Sequence, residues 1–255
     1  MAIIPLRAWY LEQYEPIGET IARPPDLRLS RNSLLKAGLR ADFLEESDAI
    51  QSAVWFQRYL QGETVEFYIE GSGGYEISNI DLISHEIYFT KREISSWLEP
   101  VIFLSAQEEY PEASSSVRSA LETALESLNR RSRFPLTLET SSPSAGVPLR
   151  LSDSQMRPIR RSLLFIGDTT PIASVATQPP HLLLSSRVCV ELGYAFANKR
   201  PGQILLLQME RPDLRGTLPF DLPQHRKLGF KTAAELKEML PSVLETLLQR
   251  YHLVS

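Results

Sequence analysis

Glu191 is a candidate catalytic group because its neighbours Val188, Val190 and Leu192 are branched aliphatic residues. A fixed carboxylate in a poorly solvated pocket can stabilise a positive charge on a substrate, or can trap the substrate covalently. A glutamate on the solvent side of an amphipathic helix has the same spacing. The spacing alone therefore leaves a catalytic and a purely structural interpretation open.

Two polar segments, residues 105–109 and 167–171, follow short apolar runs that predict strands. If these strands are parallel, right-handed crossovers bring both segments to one edge of the sheet, where ligands of open α/β sheets usually bind. The candidate ligand contacts in the two segments are Ser105, Gln107, Asp168 and Thr169. Asp168 and Thr169 could hold a ribose or a phosphate, although an ordinary turn would also explain their segment.

Other polar residues give weaker signals. Arg187 could contact a phosphate or a carboxylate, with a solvated arginine as the other interpretation, and Ser185 or Ser186 could cap the helix that follows. The four histidines are scattered without metal-ligand spacing, and Cys189 is the single cysteine. We therefore expect no metal site and no disulfide.

The predicted elements divide the chain into residues 1–99 and 100–255. In the first part, apolar spacing predicts a helix over residues 32–44, and Asp48 is expected to cap a second helix that Gly62 ends. The β-rich runs between residues 64 and 90 predict a hairpin or meander. In the second part, strands are predicted at residues 101–104, 134–138, 163–166 and 204–207. Helices are predicted between and after them, at residues 114–128, 152–160, 188–197 and 233–251. This alternation predicts an α/β fold with a mostly parallel sheet covered by helices on both faces, preceded by a small α+β module.

Residues 188–195, with the sequence VCVELGYA, resemble the N-V-x-x-E-L-G-Y helix of TIR-like nucleotide-binding domains and of nucleoside 2-deoxyribosyltransferases. The order of elements over residues 101–250 is also similar, including a Leu-Pro-x-Asp-like stretch at residues 217–221 before the last helix. Ser186 and Arg187 stand where those families have Asn or Asp. The resemblance implies a flavodoxin-like sheet for residues 100–255, and it does not extend to the first hundred residues.

The resemblance also implies a role for each candidate residue. Glu191 would act on a ribosyl ring, either in cleaving the N-glycosidic bond of NAD or as a nucleophile in base exchange. Asp168, Thr169 and Arg187 would orient sugar and phosphates, and Ser105, Gln107 and Tyr194 complete the expected substrate contacts. NAD would be substrate or ligand, with no further cofactor. A nucleotide-binding sensor or scaffold without catalysis is the main alternative, and a deoxyribosyltransferase-like enzyme is the other.

Composition bounds the possible partners. The net charge of −4 disfavours general nucleic-acid binding, and no apolar run approaches the length of a membrane span. The N-terminus lacks the pattern of a secretory signal, and a single cysteine fits a cytoplasmic setting. Because TIR-like enzymes are often controlled by assembly, we expect the N-terminal module to mediate homo-oligomer formation or contact with a protein partner.

Overall fold

A computed structural model describes residues 5–35, 38–92, 97–141, 153–218, 220–222 and 226–253, with the backbone alone at residues 31–35 and 153–155. The chain divides into two compact units, Met1–Trp97 and Leu98–Ser255.

The first unit is built on a closed barrel of antiparallel strands in the order β1-β2-β3-β6-β5-β4. Its strands are β1 Leu6–Tyr10, β2 Leu27–Leu35, β3 Gly38–Phe43, β4 Glu66–Ile69, β5 Gly73–Asp81 and β6 Glu86–Lys91. Three short helices accompany them among the described residues: α1 Ile17–Thr20, α2 Ser47–Ser52 and α3 Val54–Leu60. Pairing of β1 with β4 closes the barrel, so that no strand in it is left with an unpaired edge.

The barrel interior is filled by alternating apolar side chains. In β3, Leu39, Ala41 and Phe43 are buried while the residues between them are more exposed, as expected for a strand with one face on a core. Trp55 of α3 packs edge-on against Phe67, with ring centroids 5.3 Å apart. This core is self-contained within the first unit.

The helix predicted over residues 32–44 is wrong, because this stretch forms strand β2 and strand β3. Leu34 pairs with Leu39 and Leu35 with Gly38 in an antiparallel ladder. Leu39, Ala41 and Phe43 fit a period of two, whereas Leu35, Leu39 and Phe43 fit the helical spacing of four. Pairing between β3 and β6, which are distant in sequence, decides between the two patterns. The predicted second helix is interrupted at Ala53, where the backbone is extended between α2 and α3.

The second unit contains a parallel sheet with the order β13-β12-β9-β7-β8. Its strands are β7 Glu99–Ser105, β8 Thr137–Thr140, β9 Ser162–Asp168, β12 Ile204–Met209 and β13 Lys227–Phe230. Its helices are α4 Pro111–Asn129, α5 Asp153–Arg161, α6 Ser186–Asn198 and α7 Ala233–Leu248. Helix α4 packs against α7, and α5 packs against α6.

Continuous apolar sequence explains the central strands. Every residue of β9 is buried, and Phe165 stacks on Phe103 of the neighbouring strand β7 with ring centroids 6.1 Å apart. On α6, Leu192 and Ala195 join this core. Pro158 lies inside α5, which continues to Arg161.

Two details of the connections differ from expectation. The strand predicted at residues 134–138 begins three residues later, at Thr137. The long loop before α6 contains a small antiparallel hairpin of β10 Ala173–Val175 and β11 His181–Leu183. The Ser/Pro/Gly-rich stretch of residues 141–148, whose composition predicts a loop, lies outside the described residues except for Ser141.

The expected fold of a flavodoxin-like, mostly parallel sheet preceded by a small α+β module of two helices and a hairpin is wrong for this chain. Its first unit is a closed antiparallel barrel, and the parallel strands form a separate sheet. Barrel closure depends on pairing between distant strands, which local patterns do not encode. Within the described residues, no helix has both the length and the apolar composition to cross a membrane.

Candidate functional site

Strands β7 and β9 lie side by side at the point where the strand order of the sheet reverses. The chain leaves β7 for β8 on one side and then returns to form β9 on the other. Ser105, the last residue of β7, is in register with Gly167, so Asp168 ends β9 directly beside it. In open α/β sheets, the crevice outside the carboxyl ends of two such strands is the usual ligand site.

Glu191 lies in the second turn of α6 and is only 3% exposed. Its Oε2 atom is buried and has no hydrogen-bond partner among the described residues. Burial raises the pKa of this carboxyl, while the nearby hydroxyls of Ser105 and Ser141 and the charge of Arg187 act in the opposite direction. The buried carboxylate thus retains an acceptor atom that no residue in the described ranges uses.

The hydroxyls of Ser105 and Ser141 share this environment. Ser105 ends β7, Ser141 directly follows β8, and both Oγ atoms are buried. They lie close enough to Glu191 to affect its pKa, yet neither makes a hydrogen bond that satisfies normal geometry with a described residue. Buried polar atoms in native proteins are nearly always hydrogen-bonded, so several unsatisfied ones in one place indicate a site for a ligand or for water.

Asp168 is the second buried carboxylate of this edge, at 1% exposure. Its Oδ1 accepts a hydrogen bond of 3.1 Å from the backbone N–H of Thr170, whereas Oδ2 has no partner among the described residues. Burial raises its pKa, opposed by Thr170 and the amide of Gln107 and reinforced by the negative charge of Glu109. Within the described ranges, Asp168 and Glu191 therefore each have one carboxylate oxygen without a hydrogen-bond partner.

Thr169 and Gln107 are occupied by backbone contacts. The hydroxyl of Thr169 donates to the carbonyl of Leu207 at 3.1 Å, and its backbone N–H donates to the same carbonyl at 2.8 Å. The side-chain amide of Gln107 donates to the carbonyl of Tyr110 at 2.7 Å and accepts from its N–H at 2.6 Å. Both side chains hold strand-end segments in place, which differs from the ligand contacts expected of them.

Two carboxylates contact the start of α6. The hydroxyl of Ser185 donates to Glu109 Oε1 at 2.9 Å, and Arg187 lies 3.3 Å from Glu108 Oε1. Ser185 occupies the N-cap position, but its side chain makes no capping bond to the helix. Arg187 is thus paired with a side chain of the β7–α4 segment and also lies within electrostatic range of Glu191.

Tyr194, one helical turn after Glu191, packs against the apolar cluster that contains Phe103 and Phe165. Its backbone carbonyl accepts a hydrogen bond from the side chain of Asn198 at 2.9 Å. Packing accounts for its position, and the structure does not bring it to the unpartnered oxygens.

Sequence reasoning missed Ser141 and Arg211. Ser141 lies in a Ser/Pro/Gly-rich stretch that gives no positional signal. The guanidinium of Arg211 lies over the ring of Tyr110 and donates to the carbonyl of Pro171 at 3.1 Å. It joins the segments that follow β7, β9 and β12, and only the register of the three strands could have indicated this.

The site is rich in oxygen atoms and poor in metal-ligand geometry. No group of three or more His, Cys, Asp or Glu side chains in the described part of the chain is arranged to hold a metal ion. The available atoms are carboxylate and hydroxyl oxygens, which suit a ligand that carries hydroxyl groups and positive charge.

Comparison with known proteins adds little. No protein-family model matches the chain, and no curated protein does. Among solved structures, the chain is similar to the metal-soaked Flv1 flavodiiron core from Synechocystis sp. PCC6803, at 14% identity and a TM-score of 0.34. The similarity covers 58% of this chain and 36% of that chain. A likeness of this size carries no inference, and it lends no support to the expected flavodoxin-like sheet.

Proposed function

We propose that the second unit binds NAD or a related nucleotide and cleaves its N-glycosidic bond, with Glu191 acting at the ribosyl carbon. The observation that carries the proposal is the buried Oε2 of Glu191 beside the buried hydroxyls of Ser105 and Ser141, three atoms that have no hydrogen-bond partner of normal geometry among the described residues. A ribose placed there would donate its hydroxyl protons to the two carboxylates and exchange hydrogen bonds with the serines. This would satisfy the oxygen atoms that have no partner in the part of the chain that the structure describes.

The chemistry needs one carboxylate. When the bond between the ribosyl carbon and nicotinamide breaks, the bonding electrons leave with the base, and a cationic nicotinamide becomes neutral. Positive charge develops on the sugar, as in glycoside hydrolysis, and the Glu191 carboxylate stabilises it. Water then adds to the ribosyl carbon and releases a proton, so that the products are nicotinamide, the sugar product and a proton. No general acid is required, because the leaving group departs uncharged.

The proposed activity requires the charged form of Glu191, which burial disfavours. Burial raises the pKa of Glu191 and so acts against its charged form in the free protein. A cationic base bound beside the carboxylate favours the ionised form, since an opposite charge at close range stabilises it. Substrate binding would therefore stabilise the charged carboxylate at the position where positive charge develops.

The test is release of nicotinamide from NAD by the intact protein, followed by chromatography. We expect Glu191→Gln to abolish release, because the amide keeps the shape of the side chain and lacks the charge. Glu122→Gln, an exposed position on α4, is the matched control and should keep the wild-type rate. Equal rates in wild type and Glu191→Gln, or no release by either, would disprove the proposal.

A nucleotide-binding sensor without turnover is the second candidate. It is favoured by the engagement of the Thr169 hydroxyl with Leu207 and of Arg187 with Glu108, since both were expected to contact the substrate. Calorimetry with NAD and ADP-ribose separates the two candidates. Binding of NAD without release of nicotinamide would support the sensor.

The proposal also includes a cellular location and a role for the first unit. A single cysteine, Cys189, suits a reducing cytoplasmic compartment. The barrel unit would control the second unit by assembly with further copies or with a protein partner.

A further inference from the structure

The parallel sheet of the second unit has a second edge, at which its strands begin, opposite the edge that holds the candidate site. The helices run back toward this second edge, so that the connections into β8, β9 and β12 lie there. Hydrogen bonds between distant segments join these connections. The side chain of Gln203, before β12, donates to the hydroxyl of Tyr251, after α7, at 3.0 Å and to the carbonyl of Leu163 in β9 at 3.2 Å.

Basic side chains predominate at this second edge. The last turns of α4 to α7, the connections that follow them and the starts of β7, β8, β9 and β12 contain eight basic residues and three acidic ones, so positive charges outnumber negative ones by five. Two of the acids are paired, Glu245 with Arg131 and Glu99 with Arg161, and the excess remains after these pairs are counted. We call the basic residues the basic edge: Arg130, Arg131, Arg133, Arg160, Arg161, Lys199, Arg200 and Arg250.

Stabilisation of helix ends explains only part of the basic edge. A basic residue in the last turn of a helix interacts favourably with the partial negative charge there. Helix α5 has two such residues, whereas α4, α6 and α7 have none. Most of the basic edge therefore lies in the connections beyond the helices. The guanidinium groups of Arg130 and Arg160 are exposed and form no ion pair within the described ranges, so they are available to a partner.

The negative net charge of the whole chain is unevenly distributed. Residues Met1–Trp97 contain nine basic and fifteen acidic residues, a net charge of −6, whereas Leu98–Ser255 contains eighteen and sixteen, a net charge of +2. Attraction of a polyanion depends on the local field of the surface that it meets. The overall charge of −4 therefore does not preclude anion binding at the basic edge.

We propose that the basic edge binds the phosphate backbone of a nucleic-acid duplex. Seven of its eight residues are arginines, whose planar guanidinium groups can donate two hydrogen bonds to one phosphate. Neighbouring strands of a sheet lie about 4.8 Å apart, so the connections into β12, β9 and β8 are spread over about 15 Å. A duplex presents one negative charge about every 1.7 Å along its axis, and a row of this length meets several phosphates whatever the base sequence.

A duplex fits this edge better than a single strand does. Proteins bind single strands by stacking the bases on aromatic side chains. In the described connections of this edge, Phe134 lies beneath the guanidinium of Arg133, 5.2 Å from the ring centroid, and Tyr251 is buried. Neither ring is presented as a stacking platform. Contacts to a phosphate backbone require only the guanidinium groups that the edge supplies.

The test is fluorescence anisotropy of the intact protein with a labelled DNA duplex of about 20 base pairs. We expect binding that weakens about 100-fold between about 50 and 200 mM salt, the loss expected when about four phosphates are neutralised. A single strand of the same length should bind more weakly than the duplex. A polyglutamate chain of equal charge should also bind more weakly.

A pair of double variants connects binding to the basic edge. Arg130→Gln with Arg160→Gln should weaken binding about tenfold and lower the salt slope by about two, since each arginine neutralises one phosphate. Arg118→Gln with Arg215→Gln is the matched control, because it removes the same charge at two exposed arginines of the same unit outside the basic edge. It should keep nearly the wild-type affinity. Thermal denaturation of both double variants checks that each is folded.

Four results would overturn the proposal: no binding of the duplex at low salt, equal weakening by the two folded double variants, tighter binding of the single strand, or tighter binding of polyglutamate. The last result would indicate an acidic protein partner in place of a nucleic acid. The measurement requires no turnover of NAD, so its outcome is independent of the proposed function.

Discussion

The guanidinium carbon of Arg211 lies 3.9 Å from the centroid of the Tyr110 ring, and the two residues follow different strands of the parallel sheet. Arg211 comes after β12, whereas Tyr110 comes after β7 and is tied to Gln107 by two hydrogen bonds. A further bond from Arg211 reaches the carbonyl of Pro171, beyond Asp168. One cation thus fixes the segments on either side of the candidate site.

We predict that Arg211→Gln lowers the free energy of unfolding by about 1–2 kcal/mol, the range for a partly desolvated cation–π contact together with a hydrogen bond. The side chain of Arg211 is 11% exposed, so solvent screens these contacts only weakly. The control is Arg92→Gln, whose pair with Glu76 is exposed and should contribute less than about 0.5 kcal/mol. Urea denaturation checks both, and equal losses would show that the contact with Tyr110 is not special.

Ionisation of Glu191 should lower the free energy of unfolding of the protein. Because burial raises its folded pKa above the unfolded value, the folded state binds more protons, and stability present at low pH is lost as the pH rises through the folded pKa. We predict that Glu191→Gln gains stability relative to wild type as the pH is raised from 4 to 8. The measurement is the difference in free energy of unfolding between the two proteins across this range. A difference that stays constant with pH would mean that the carboxyl is solvated in the folded protein.

Local sequence predicted the helix that carries Glu191 and the strands that end beside it, because a continuous apolar run and helical spacing are local properties. It did not predict which polar atoms would remain unpartnered. Thr169 was as good a candidate as Asp168 until its hydroxyl was found on the carbonyl of Leu207, a contact set by the pairing of β9 with β12. Ser141 had no distinguishing neighbour in the sequence, and only strand order places it near Glu191.

The barrel was missed for a related physical reason. The sequence that forms the end of β2 and all of β3 fits a helix as well as a hairpin when read alone. The free energy that selects strands comes from pairing β3 with β6 and β1 with β4. These partners are distant in sequence, so local propensity is overridden.

Gly216 should be intolerant of any side chain. Its φ is +137°, and a Cβ at this position would lie 2.5 Å from the carbonyl oxygen of Pro180. Backbone strain and a backbone clash act together, so we predict that Gly216→Ala lowers the free energy of unfolding by about 1–3 kcal/mol. Gly229→Ala is the control, because nothing lies within 4 Å of the added Cβ and its φ is ordinary. Thermal denaturation of the two variants tests this, and a similar Tm for both would contradict the backbone described at Gly216.

The contribution of Lys199 to stability should change with pH in the opposite direction to that of Glu191. The ammonium group is buried, donates to the carbonyl of Ser162 at 2.5 Å, and has its pKa lowered by burial to about 8. The unfolded chain therefore binds more protons than the folded one above this pH, and stability rises with pH through the window between about 8 and the unfolded value of 10.5.

Comparison of wild type with Lys199→Met isolates the pH dependence of stability that comes from Lys199, because the other groups titrate equally in both proteins. We predict that the free energy of unfolding of wild type, relative to that of the variant, rises by roughly 2 kcal/mol between pH 7 and pH 10. The loss of packing and of the bond to Ser162 shifts the difference at every pH and leaves its slope unchanged. Lys237→Met, at an exposed position on α7, is the matched control and should show a much smaller slope. A flat difference for Lys199→Met would mean that the ammonium group is solvated in the folded protein.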